Sequence, residues 1–186
     1  MTETYTISAT FCRPGHEKPD PKGKITALLT KGYSIFYYDR LGVEKSEQGL
    51  GYVAQLSNQV AILTELAKLV KGGHYVGGTG RPSKTVLVGH GFGSAISSEV
   101  VRKNRKLVDG VVLTGFSYNS THLNGLEFLE AADVQIAAHQ KPGKSRQLDT
   151  AFKAISLPRT GHGINFHTTA AKSFEKITSF LASSGL

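Results

Sequence analysis

The sequence predicts an α/β domain in three layers, a mostly parallel sheet flanked by helices, formed by residues 1–186 as a single unit. Two observations carry that expectation. Short runs rich in β-branched and aromatic residues alternate along the chain with longer stretches whose apolar residues recur every three or four positions. Between residues 86 and 94 one such run passes straight into a glycine-rich turn and then a helical pattern, the punctuation of strand followed by helix.

Taken in order, Tyr5, Ile7, Ala9 and Phe11 alternate with Thr4, Thr6, Ser8 and Thr10, which predicts a half-buried strand over Thr4–Cys12. Three prolines and two glycines between Pro14 and Gly23 make that segment a connection. Ile25 to Lys31, stopped by Gly32, predicts a short helix. Tyr33 to Tyr38 is aromatic and β-branched without alternation, as in a strand buried on both faces of a parallel sheet. Val53, Leu56, Val60, Leu63, Ala67 and Val70 form a helical stripe, with Asn58, Glu65, Lys68 and Lys71 off it and Gly72-Gly73 at its end. A strand over Thr85–Val88, a helix from about Phe92 to Lys103 and a strand at Val111–Leu113 follow. The pattern weakens from Ser117 to Ser145, where Leu126 to Gln140 could form a helix. Lys153–Leu157 is a candidate short strand, and Ala170, Phe174, Ile177 and Leu181 predict a final amphipathic helix.

Composition narrows the function classes. A chain of 186 residues can bury a core without disulfides or metal, and the single cysteine, Cys12, has no thiol partner for either. The first twenty residues lack a basic start followed by an apolar run, and no segment has the apolar length of a membrane span. A chain with a cytoplasmic location is the default expectation, and the sequon at Asn119-Ser120-Thr121 is expected to be unused. The net charge of +8 is densest at Arg102, Lys103, Arg105 and Lys106, where a helix should end and cations complement its dipole. Without interleaved aromatics or zinc-finger spacing, nucleic acid is not expected as a partner. The sequence leaves the oligomeric state open.

The chemistry-bearing segment is Val86-Leu87-Val88-Gly89-His90-Gly91-Phe92-Gly93-Ser94. Its glycine spacing is that of the G-x-S-x-G turn, in which a strained strand-to-helix junction pushes a serine hydroxyl clear of the sheet, but the serine position holds Gly91. Glycine tolerates the positive φ of such a turn while removing the reactive atom. Two other readings compete. A dinucleotide loop needs G-x-G-x-x-G with an acid ending the next strand, whereas here Ser94 takes the last place and Asp109 precedes its strand. Gly78 to Thr85 resembles a P-loop, but Ser83 stands at its second glycine and a strand follows it. The histidines show no paired ligand spacing, so no metal or other cofactor is expected.

Four blocks together resemble the α/β-hydrolase superfamily, particularly the esterase-like members common in fungi: Lys31 to Gly42, Ser83 to Ser94, Val108 to Gly115, and Thr160-Gly161-His162-Gly163. The resemblance implies that His162 is the general base, that Gly91 is the vacated nucleophile position, and that the backbone N–H of Phe92 is one oxyanion donor, within an elbow formed by Gly89, His90 and Gly93. It also implies a cap over the site, of which residues 117–145 are the candidate remnant.

The departures are as informative. No strand with a His-Gly loop precedes Lys31 to supply the second oxyanion donor, and Glu127, Glu130, Asp133 and Asp149 follow no apolar strand that would make one of them the acid. Glu44 stands where the family often has glycine after Asp39-Arg40-Leu41-Gly42. Ser94, one turn into the helix, and Cys12 are poor substitutes for the serine. The chain therefore reads as a truncated α/β-hydrolase, related to enzymes acting on ester or related acyl bonds and impaired as a serine hydrolase. The alternatives are a non-catalytic protein binding a small apolar or ester-like ligand, and a non-functional product. Loss of the strand between the Tyr33 and Val86 strands predicts exposed apolar strand edges.

Overall fold

The computed structural model describes residues 4–15, 31–48, 54–116, 153–164 and 167–186. The predicted helix over residues 25–31 lies outside them except for Lys31, as do the cap segment and the four carboxylates from Glu127 to Asp149. Among the described residues seven elements follow one another: β1 (Ala9–Cys12), β2 (Ile35–Tyr38), α1 (Leu56–Lys71), β3 (Val86–His90), α2 (Phe92–Lys103), β4 (Gly110–Thr114) and α3 (Ala170–Ser183). Strands alternating with helices from β2 to β4 make this an α/β fold. Contacts divide the chain into two compact units, residues 1–85 with 99–109, and residues 86–98 with 110–186. Among the described residues no helix is long and apolar enough to cross a membrane.

In the first unit β1 pairs antiparallel with β2, Ala9 opposite Tyr38 and Cys12 opposite Ile35. Antiparallel pairs can leave one face to water, and Tyr37 is 40% exposed, so β2 is not the doubly buried strand its unbroken apolar run suggested. Below the pair, the turn after Asp39 is tied down by Ser46, whose Oγ donates to Asp39 O (2.6 Å) and accepts the Ser8 N–H (2.9 Å). Leu41 is buried in this turn, and its carbonyl accepts a hydrogen bond from the equally buried Gln59 amide of α1 (3.0 Å). The α1 stripe buries Val60 and Ala67, while Leu56 at its first turn is exposed. Burial pushes the pKa of the Tyr38 phenol up to about 12, against a smaller opposing pull from Arg40.

Glu44, where the resemblance leads to an expectation of glycine, has φ +50°. A residue with a Cβ is strained there. Glu44→Gly is therefore expected to stabilise the protein by about 0.5–1 kcal/mol, the strain relieved less the extra chain entropy of glycine, measured as a higher urea midpoint at unchanged m-value.

In the second unit β3 and β4 run parallel, with Val86 opposite Gly110 and His90 opposite Thr114. The crossover between them is the twelve-residue α2, the kind of connection a parallel pair needs. Ile96 of α2, Leu157, Ile164 and Leu181 are buried in this unit, whereas Val88 in the middle of β3 is 51% exposed. Lys153 to Leu157 forms no strand, although Leu157 is buried. The stripe of α3 buries Leu181 and half-buries Phe174 and Ile177.

Candidate active site

The strand-to-helix turn is built by three glycines with three different jobs. Gly89 closes the approach of strand to helix: a Cβ there would stand 2.6 Å from Gly93 O and 2.7 Å from Ser94 Cα, inside any real contact distance. Gly91 has φ +53°, the left-handed conformation that the turn requires at its centre. At Gly93 a Cβ would meet nothing within 4 Å, so this glycine is not held by space.

The turn is fastened to β4. Thr114 O accepts the Gly91 N–H (3.0 Å) and the Ser94 hydroxyl (2.9 Å), and the Thr114 N–H donates back to Ser94 Oγ (3.1 Å). Ser94 is fully buried, and both its donor and an acceptor site serve this clamp, so its hydroxyl is a structural staple and not an exposed nucleophile. Phe92 opens α2 directly after Gly91, which places its N–H in the helix's first turn, where backbone donors favour developing negative charge.

His162 and Gly91 come together across 71 positions of sequence separation only in the sense that matters chemically, through the ring tip: an ideal Cβ on Gly91 would lie 2.9 Å from His162 Nε2 and 3.1 Å from Cε1. The place of the absent side chain is thus not an open hollow; the imidazole edge abuts it. On its other edge the ring faces Gly115, at φ +56°, where a Cβ would lie 3.1 Å from both Nδ1 and Cε1 of His162 and 2.8 Å from His90 Cε1. His162 Nδ1 is buried, although the residue as a whole is partly exposed.

The two histidine rings lie 4.8 Å apart between centroids, tilted by 41°. His90 Nδ1 sits 3.0 Å from Thr114 Oγ1, and that hydroxyl donates its one proton to Gly89 O (2.9 Å). The oxygen must therefore accept from His90, which puts the proton of the neutral imidazole on Nδ1 and the lone pair on Nε2. Among the described residues no group of three or more His, Cys, Asp and Glu is arranged to hold a metal ion.

The sequence reading thus placed His162, Gly91, Gly89, His90, Phe92 and Gly93, and the fold brings all six to one turn of the second unit. It assigned no role to Thr114 or Gly115. Their part depends on the β3–β4 register, which sets Thr114 opposite His90, and no local pattern reports that register. Cys12 ends β1 in the first unit as a half-buried free thiol. Asp109 is not a ligand-facing acid: its Oδ2 accepts the Thr85 N–H at 2.8 Å.

A model of the hydrolase family described as serine aminopeptidase, S33, matches residues 23–155, most of the chain. The matched stretch contains the whole turn from Gly89 to Ser94 as well as Thr114 and Gly115, and it ends before His162. No curated protein matches the chain.

Proposed function

The chain belongs to the serine aminopeptidase S33 family of α/β-hydrolases, and from that membership we propose that it is an impaired hydrolase of esters or related acyl compounds that does not form a serine acyl-enzyme. One observation supports this most: the turn that should present the nucleophile keeps its positive φ and its apposition to the histidine Nε2, but carries no side chain at Gly91. In this reading His162 is the family's base and the Phe92 N–H one oxyanion donor. Ser94 is excluded as a replacement by its buried hydrogen bonds to Thr114. Removing a triad serine costs on the order of a million-fold in turnover, with a residue of activity surviving through oxyanion stabilisation and binding.

The expected result is that a fluorophosphonate probe leaves the protein unlabelled at every serine, read by intact mass and peptide mapping. A stoichiometric adduct on Ser94 or any other serine would refute the proposal. A second reading, a protein that binds a small ester-like ligand without turnover, shares the same turn. The contact at Gly91 makes it specific, because any side chain added there must push His162 aside.

A further inference from the structure

Resting on the reading that no serine is acylated, we propose that His162 is itself a nucleophile, with Nε2 attacking activated aryl esters to give a short-lived N-acylimidazolium that water hydrolyses. Nε2 lies at the edge of the volume where this turn normally carries its nucleophile, 2.9 Å from the ideal Cβ position on Gly91. It therefore stands beside the first turn of α2, whose N–H groups favour the oxyanion of a tetrahedral intermediate. The ring packs against that of His90, with 4.8 Å between the ring centroids. Gly161 and Gly163, on either side of His162, are exposed, so the loop meets solvent.

The step balances without a co-reactant other than water. In this step the neutral imidazole reacts as its Nδ1–H tautomer: the Nε2 lone pair forms a C–N bond to the acyl carbon, the C–O bond breaks, and the phenoxide leaves with its electron pair, which leaves an N-acylimidazolium. Water then adds to the acyl carbon and gives one of its protons to solvent, and the C–N bond breaks, returning its electrons to Nε2. The carboxylic acid departs and releases its proton to solvent, while Nδ1 keeps its proton throughout. The intermediate expels whichever group leaves more readily, and a free imidazole has a pKa of about 6.5, so only phenols of comparable acidity leave forward. Alkoxides are too basic, and alkyl esters simply release the imidazole again.

The test mixes the intact protein with p-nitrophenyl acetate, digests it immediately after quenching, and locates acetyl groups that hydroxylamine removes. The expected adduct is on His162. His162→Gln should lose most of the p-nitrophenyl acetate hydrolysis, the exposed His167→Gln should keep it, and ethyl acetate should not be cleaved by any of them. An adduct confined to Cys12 or lysines, or an unchanged rate in a folded His162→Gln, would overturn the proposal. If that variant does not fold, adduct mapping on the unsubstituted protein decides alone. Inhibition by a fluorophosphonate with a serine adduct would instead bring down the premise. Absence of both serine and His162 adducts would bring down this inference and leave the premise standing.

Discussion

Replacing Gly89 with alanine is expected to lower stability by about 3 kcal/mol, a large share of the roughly 5–15 kcal/mol that holds a typical domain. The added Cβ would sit 2.6 Å from Gly93 O and 2.7 Å from Gly93 C and Ser94 Cα. All three are backbone atoms at the start of α2, so no side-chain rotation relieves the overlap and the helix must move off β3. That movement would break the clamp between Ser94 and Thr114. Gly93→Ala is the matched control: its Cβ meets nothing within 4 Å, and alanine is the better helix former, so the change should be neutral or slightly stabilising. Urea unfolding of the two variants measures the contrast. Equal effects at the two positions would mean that the turn does not pack as described.

Gly91→Ser is the second change with a large expected outcome, and the outcome is mostly an absence. The serine Cβ would press on His162 Nε2, and the ring can give way by a few tenths of an ångström because Gly115 has no side chain behind it. The variant should therefore fold, at a cost of about 1–2 kcal/mol for a side chain at φ +53°. It places a hydroxyl next to the His162 imidazole. In the proposed reading it still has neither acid nor second oxyanion donor, and in serine hydrolases those are worth about 10⁴-fold and about 10²–10³-fold respectively. Its kcat/KM on ethyl butyrate, an ester that His162 cannot cleave by itself, should stay at least about 10⁴-fold below that of an efficient enzyme. Turnover near the usual range for esterases would show that both absent parts are present after all.

What could be read without coordinates followed local rules. The helix from Phe92 to Lys103 was legible to the residue because a glycine turn starts it and a cationic cluster ends it. The last helix was legible because Phe174, Ile177 and Leu181 recur on one side. Strand pairing was less so: Tyr33 to Tyr38 looked doubly buried, but its partner is the antiparallel β1, and its Tyr37 faces water. A run of apolar residues reports that a strand exists, whereas its exposure depends on which neighbours arrive. Val88 makes the same point, an apolar mid-strand residue left half in solvent.

By itself, then, the sequence determined the α/β alternation, the likeness to α/β-hydrolases and the glycine-rich turn with Gly91 at its centre, because propensity, periodicity and motif spacing act within a few positions of one another. Only the tertiary structure decided that Gly91 is abutted by His162, that Ser94 is a staple to β4, and that Thr114 sets the His90 tautomer. Those facts are distances between groups far apart in the chain. They follow from the register of β3 on β4 and from the approach of the His162 loop to Gly91, which no local run of residues encodes.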